Sequence, residues 1–391
     1  MFLPILFVVL FVLLGLYVGL LVYYRRGWMA LRSFSRNEKA DLNQGLFISV
    51  VVAARNEENN IGHLLQSLLK QSYPPHLYEV IVIDDHSTDQ TAQRVQSFAG
   101  PIRLIALADE PKTNQLVAFK KKAIALGIAK SKGSLIVTTD ADCIAPIHWL
   151  STIAAYYQQH RPPFMVMPVR MRHSRRWLDI FQSLDFMSLQ GITGASAQLQ
   201  FHGMCNGANL AYTKAAFEEV NGFQGIDHIA SGDDMLLLHK IAARYPGGIA
   251  YIQSADVLVD TGPEKTIHAF IQQRIRWASK AKQYKDKRLL PVLLLVYLLN
   301  AMMLLTIVSL CIDDAIRWAG FSFNGFYLLG ILWIIKTLAE GWFLYPVAVF
   351  FKQKQLLYWF PWMQPFHILY TLVAGGLGAF VQYRWKDRIV Q

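Results

Sequence analysis

The sequence predicts an α/β domain built on a doubly wound, mostly parallel sheet, with membrane-spanning helices at both ends. Three observations carry this. Apolar, β-rich runs alternate with helical periodicity from about Leu46 onward. The connections between them are short, as in parallel α/β sheets. Long uncharged stretches flank the region, Met1 to Tyr24 and Leu289 to Ile312. Each exceeds the ~20 helical residues that cross a hydrocarbon core.

The first flank, residues 1–24, reads as a transmembrane helix. A cleaved signal peptide would carry a basic start, a shorter apolar run and a small-residue cleavage site. The stretch ends in "YYRRGW", and Arg25 and Arg26 place the following segment in the cytoplasm by the positive-inside rule. The basic run from Lys280 to Arg288 says the same from the other side. A cytoplasmic domain over residues 45–288 is therefore expected, inside a multi-pass protein of the cell membrane. Residues 289–383 form the C-terminal membrane region, with two to three spans. The chain's third apolar block, from about Ala319 to Phe351, contains Lys336 and Glu340, one helical turn apart and able to pair. Its last block, Gln355 to Tyr383, carries Pro361 and Pro365 and reads as kinked, interfacial or re-entrant. Three crossings would leave the basic tail "RWKDR" outside, against its charge.

Composition supports the same class. Of 391 residues, 53% are hydrophobic and 17% charged, too apolar for an ordinary soluble enzyme. The net charge of +11 gathers near the membrane segments. It reads as topology and attraction to anionic head groups, not nucleic-acid binding. Cys143, Cys205 and Cys311 lie far apart, which suggests neither a zinc cluster nor a disulfide framework. Oligomeric state leaves no signal.

Within the domain, "LFISVVVAA" is the first strand and "ENNIGHLLQSLLKQ" a helix with Ile61, Leu64, Leu65, Leu68 and Leu69 at helical spacing. "EVIVIDD" is the second strand. "STDQTAQRVQSF" follows as a helix with Ser87 or Thr88 as cap. "IRLIAL" is the third strand, "KKKAIALGIAKSKG" a helix and "SLIVTTD" the fourth strand. Further on, Phe164 to Met171 reads as a strand, "RRWLDIFQSLDFMSLQ" as a helix, and "GDDMLLLHKIAARYPGG" as a helix ending near Gly247. "IHAFIQQRIRWASK" is an amphipathic helix leading to the second membrane block.

Ligands of such sheets bind outside the carboxyl ends of the strands. Three acid-bearing loops leave that edge: "AARNEE", "DDHSTD" and "TDADC". One such loop is a turn; three on one edge look like a site.

These motifs, with "CNGAN", "GDD" and "QQRIRW", resemble the family 2 glycosyltransferases of GT-A fold, in their membrane-anchored branch. The likeness covers about Ile48 to Lys280. It implies that Asp84 and Asp85 meet the nucleotide, with Arg55 and Glu57 beside them. An Asx-turn with a helix cap is the plainer reading of the same loop. The family's Gly-Lys pair falls on Lys120 and Lys121, which puts Lys121 near the diphosphate. Lys120 and Lys122 read as a solvated basic face. "TDADC" takes the place of the DxD motif. Residues i and i+2 of an extended segment face one side. The resemblance implies that Asp142 ligates Mg²⁺ or Mn²⁺, with Asp140 reaching the metal-bound water, ribose or sugar. Such hard cations take oxygen ligands and keep waters.

"GDD" implies Asp234 as general base, with Asp233 orienting or structural; a carboxylate at a helix N-terminus is the competing explanation. Q-x-x-R-W falls on Gln273, Arg276 and Trp277. The arginine fork suits a pyrophosphate and the tryptophan face a sugar or lipid head. Here the plainer reading is a membrane-interface helix. Asn206, Gly207 and Asn209 are expected to line the donor or acceptor pocket. His86, His202 and His239 have no metal spacing.

The expected activity is inverting transfer from a nucleotide sugar, a UDP-sugar by preference, to a lipid or lipid-linked glycan acceptor at the membrane. A processive polysaccharide synthase is the rival enzyme. A catalytically silent nucleotide-binding membrane scaffold is the rival of another class.

Overall fold

The computed structural model describes residues 2–36, 45–109, 118–229, 232–284, 286–318, 321–378, 383–385 and 388–390. Ala319, Lys386 and Asp387, named above in the third membrane block and the basic tail, lie outside the described residues. A long helix α1 (Phe2–Ala30) precedes the α/β domain. The domain then runs β1 (Ile48–Ala54), α2 (Ile61–Leu69), β2 (Tyr78–Asp84), α3 (Thr91–Gln96), β3 (Ile102–Ala106), α4 (Phe119–Ala129) and β4 (Leu135–Thr138). It continues with α5 (Trp149–His160), β5 (Phe164–Val166), β6 (Val169–Met171), α6 (Trp177–Leu199), β7 (Leu210–Thr213) and α7 (Lys214–Glu219). α8 (Met235–Arg244), β8 (Ile249–Tyr251), β9 (Val259–Thr261) and α9 (Ile267–Ser279) complete it.

Seven strands form one sheet in the order β3-β2-β1-β4-β7-β5-β8. β1, β2, β3 and β4 pair in parallel, whereas β7 runs antiparallel to both β4 and β5. Both faces are covered, as strands this apolar require. On one face Ile48, Val50 and Val52 meet Leu64, Leu65 and Leu68 of α2 and Leu150 and Ile153 of α5. On the other, Val51 packs with Ile124 and Ile128 of α4. α4 lies close to the sheet at Gly127, where an added Cβ would overlap the Val51 side chain.

Two elements differ from the sequence reading. Phe164 to Met171 is two strands, not one. Pro168 has no N–H for a ladder, and after it the chain leaves the main sheet and pairs β6 with β9 in a small second sheet. Ile144 also bridges to Asp260, so this second sheet stands beside the loop that leaves β4. Helix α3 starts at Thr91, later than the expected cap at Ser87 or Thr88. Asp89 instead accepts from the Thr91 N–H and hydroxyl, while the Ser87 hydroxyl accepts from the Asn56 N–H.

After the domain come α10 (Leu289–Leu310), the hairpin β10 (Ala315–Trp318) and β11 (Phe321–Asn324), α11 (Gly325–Phe350), α12 (Phe360–Leu377), β12 (Tyr383–Trp385) and β13 (Arg388–Val390). Among the described residues three helices are long and apolar enough to cross a membrane: α1, α10 and α11. α12 is not one of them. It packs on α6, α9 and α10. Its C-terminal end reaches the domain, where Gly378 lies against Ala278 at the end of α9. α1 packs along α6, α10 and α11, fastening the candidate spans to the domain.

Candidate active site

The carboxyl ends of β1, β2 and β4 open into a cleft of about 1820 Å³. At β1 and β2 the chain turns sharply, with Asn56 and His86 both in the left-handed region at φ 51° and 56°. The two loops are laced together: Asn56 accepts from the Thr88 N–H, Glu58 from the Gln90 N–H, and Thr91 from the Glu57 N–H. Burial opposes the charge of Asp89, but hydrogen bonds from Thr91 and the Glu58 N–H hold its carboxyl below the ordinary range. Arg55, Glu57 and Asp85 line the cleft. The Arg55 guanidinium donates to the carbonyls of Asp85 and His86, at 2.9 and 3.0 Å, so it braces the edge it borders. Asp84 is buried and outside the cleft; one of its oxygens accepts from the Ser87 N–H. The turn reading therefore describes Asp84, while its neighbour Asp85 faces the cavity.

Asp140 and Asp142 both line the middle of the cleft. Asp142 Oδ2 accepts from the Thr261 hydroxyl at 3.1 Å, a contact made possible by the second small sheet. Burial first, and then the charges of Asp140 and Glu57, push the Asp142 carboxyl up to about 6. Asp140 Oδ1 accepts from Lys120 Nζ at 2.8 Å, and the same ammonium lies 3.2 Å from Asp233 Oδ2. Burial works against the Lys120 charge, but Asp140 and Asp233 outweigh it and hold the ammonium above the usual lysine range.

The expectation for the two lysines is reversed. Lys121 points away from the cleft, where its buried Nζ donates to the carbonyls of Ile226 and Ile229. Burial pushes its pKa down to about 8. Adjacent residues on a helix face different directions, and α4 turns Lys120, not Lys121, toward the strand ends.

Asp234 is the N-cap of α8: Oδ1 accepts from the Met235 N–H at 2.7 Å and Oδ2 from the Gly207 N–H at 3.1 Å. Asp233 faces Lys120. Burial would raise its carboxyl, but Lys120 and Lys280 prevail and hold it below the ordinary range. Asn206 and Gly207 line the cleft beside this pair. Asn209 does not. It is fully buried, accepts from the Trp149 indole and donates to the carbonyls of Pro168 and Val257. Strand β7 begins one residue later, and its side chain faces the core.

Helix α9 supplies Gln273, Arg276 and Trp277 to the opposite wall. Gln273 donates to Glu264 at 2.9 Å. Sequence reasoning missed Lys280, which also lines the cleft. Its spacing was a usable signal, four residues beyond Arg276 and so on the same helical side. Burial holds its ammonium below the usual lysine range, against the pull of Asp234. Past Lys280 and Tyr284 the cleft reaches Leu289 and Leu293, on the first turns of α10.

Comparison with known proteins gives a consistent picture. The family described as glycosyl transferase family 2 matches residues 49–220, and glycosyl transferase family group 2 matches residues 135–377. Poly(ribitol-phosphate) β-N-acetylglucosaminyltransferase TarS of Staphylococcus aureus is 31% identical over 122 residues, which is 31% of this chain and 21% of that protein. The 4,4'-diaponeurosporenoate glycosyltransferase of Staphylococcus aureus is 32% identical over 124 residues, 32% of this chain and 29% of that one. The chain thus matches less than a third of the length of either curated relative. The solved mannosyltransferase PcManGT from Pyrobaculum calidifontis, in complex with GDP-Man and Mn²⁺, shares the fold. Its TM-score is 0.55 at 18% identity, over 96% of this chain and 97% of that one. With one family match covering most of its length, the chain belongs to glycosyl transferase family group 2.

Proposed function

We propose that the protein is an inverting glycosyltransferase that moves a sugar from a nucleotide sugar to a lipid or lipid-linked acceptor at the cytoplasmic membrane face. One observation carries the reading. A single cleft runs from the strand-end loops, past Asp140, Asp142 and Asp234, to Leu289 and Leu293 on a helix apolar enough to span a bilayer. A donor at the sheet edge and an acceptor rising from the lipid would meet in its middle. Donors named for similar proteins include GDP-Man; a UDP-sugar is our preferred donor here.

Asp85, with Arg55 bracing its loop, would hold the nucleotide. The Asp234 carboxylate takes the acceptor hydroxyl proton as that oxygen attacks the anomeric carbon. The bond from that carbon to the diphosphate breaks, and its electron pair leaves with the diphosphate. Each Asp234 oxygen already accepts one N–H, and each keeps a second lone pair for the incoming proton. Those two N–H bonds fix the carboxylate in place before substrate arrives.

The donor set fits a hard divalent cation. Asp142 and Asp140 offer carboxylate oxygens where negative charge is crowded. Among the described residues no three His, Cys, Asp or Glu side chains are arranged to hold a metal ion by themselves. That suits Mg²⁺ or Mn²⁺, which fill their remaining positions with phosphate oxygens and water. When bound, the cation would stabilise negative charge on the departing diphosphate. Arg276 and Lys280 on the facing wall add fixed positive charge to the same end.

The three candidate spans among the described residues are few for a polymer-conducting channel, which favours single additions over processive synthesis. Asp234→Asn tests the assignment. Asn keeps the helix cap on the Met235 N–H and gives up only the acceptor for the Gly207 N–H, so the fold should survive at a small cost in stability and nucleotide binding remain. Transfer from a panel of UDP- and GDP-sugars to lipid extract should fall by at least about a thousandfold, ~4 kcal/mol of barrier. Unchanged transfer refutes Asp234 as base.

A further inference from the structure

We propose that Arg274, Asp185 and Tyr370 form a positioning relay that sets Trp277 and Gln273 in the acceptor wall and ties that wall to α12. The acceptor role of the wall rests on the function proposed above; the relay itself does not.

Arg274 lies inside the Q-x-x-R-W segment but faces away from the cleft. Its side chain and that of Asp185 on α6 are each only 4% exposed. Arg274 Nε and Nη2 both donate to Asp185 Oδ2, at 3.1 and 2.7 Å. The Tyr370 hydroxyl of α12 donates to the other oxygen, Oδ1. Arg274 Cζ lies over the Trp277 ring, 4.2 Å from its centroid, and over the Phe270 ring at 4.6 Å. Arg274 Nη1 donates to Gln273 Oε1 at 2.7 Å, and Gln273 passes the contact on to Glu264. Glu264 is in turn held through its backbone by Gln182 of α6, which both donates to its carbonyl and accepts from its N–H at 2.9 Å.

A buried ion pair is a poor way to gain stability, because desolvating two charges offsets most of their attraction. What the pair supplies here is direction. One guanidinium forks onto Asp185, stacks on Trp277 and orients the Gln273 amide. A lysine ammonium has no plane to stack and no fork to share. Tyr370 lies outside the cleft, yet it holds the carboxylate that holds the arginine. Helix α12 therefore bears on Trp277 without touching a substrate.

The test uses the full chain in detergent, labelled with 5-fluorotryptophan. Trp277 is assigned by the resonance that Trp277→Phe removes. The relay requires that Tyr370→Phe and Arg274→Lys both move or broaden that resonance, with melting still cooperative. Arg274→Lys keeps the charge beside Asp185, so a purely charge-balancing arginine predicts an unmoved signal, and that result overturns the proposal. The double variant Asp185→Asn/Arg274→Gln removes both charges. The relay predicts that its thermal midpoint returns toward wild type while the Trp277 signal stays displaced; recovery of both overturns it. With UDP- or GDP-sugars and lipid extract, Tyr370→Phe should raise the acceptor KM at least tenfold and leave UDP or GDP affinity within twofold. Wild-type protein inactive with every donor would refute the function proposed above and leave the fluorine result standing on its own.

Discussion

Lys120 and Asp140 form an ion pair 2.8 Å long in the middle of the cleft, and the same lysine reaches Asp233 at 3.2 Å. The carboxylate leaving β4 is thereby joined to the one just before the N-cap of α8. Two chain segments almost a hundred residues apart share one cation. The site is held together by that lysine before any ligand arrives.

Lys120→Met should therefore leave Asp140 and Asp233 facing each other without a counter-charge. Transfer is expected to fall at least tenfold, the equivalent of one charge-assisted hydrogen bond of about 1.5–3 kcal/mol. Lys121→Met, one residue on, should leave kcat/KM within about threefold. Its cost, about 1–3 kcal/mol, appears in the thermal midpoint, because the Ile226 and Ile229 carbonyls lose a donor. Steady-state kinetics and melting of both variants check this pair. The reverse pattern would restore the original alignment.

Asp142→Asn should weaken Mn²⁺ binding in the presence of UDP or GDP by at least tenfold. The substitution keeps an acceptor for the Thr261 hydroxyl, so the loop stays in place while the charge is lost. Paramagnetic resonance of free Mn²⁺ measures it directly. Equal affinity in variant and wild type would remove Asp142 from the metal site.

Much of the fold was legible because its signals are local. β1, β2 and β4 are unbroken apolar runs, and α2 repeats its leucines at helical spacing. The three acidic loops could be assigned to one edge from topology alone. What stayed hidden depends on contacts distant in sequence. Asp84 and Asp85 are indistinguishable in a string of letters; both are buried, but Asp84 turns to the Ser87 N–H of its own loop and only Asp85 lines the cleft. Lys120 and Lys121 differ in the same way on a helix. Asn209 looked like part of a polar pocket motif, but it is consumed by Trp149, Pro168 and Val257, at least 40 positions away. Thr261 became a neighbour of Asp142 only because Pro168 diverts the chain into a second sheet.

His202 gives the domain a pH dependence. The ring is buried beside α1, with Nε2 2.7 Å from the Tyr24 hydroxyl and 3.2 Å from Ser196. Burial pushes its pKa down to about 4, against the charge of Asp286 and with that of Arg288 and His239. A histidine held low when folded binds a proton first in the unfolded chain. The part of the stability that His202 controls should thus fall as pH drops from about 6.5 to about 4 and level off below, by an amount on the order of 3 kcal/mol. His202→Gln should flatten most of that slope in melts across the window. The residual slope combines His239, which burial also holds below its ordinary value, with Asp142, whose raised carboxyl takes its proton first in the folded chain and so acts with the opposite sign.

The long apolar helices carry their own polar knot with α12. Lys336 Nζ donates to Glu340 Oε1 at 2.6 Å and to Gln364 Oε1 at 2.7 Å, Gln364 donates back to Glu340, and Tyr17 donates to Glu340 from α1. Three helices, α1, α11 and α12, are thus joined through one carboxylate. Lys336→Met leaves that carboxylate buried without its cation and should cost about 3–5 kcal/mol. The double variant Lys336→Met/Glu340→Gln removes both charges and keeps acceptors and donors for Tyr17 and Gln364, so it should recover most of the loss. Thermal unfolding in detergent distinguishes the two. If the single variant melts with wild type, the knot does not hold the helices, and α12 must be fixed by its packing on α6, α9 and α10.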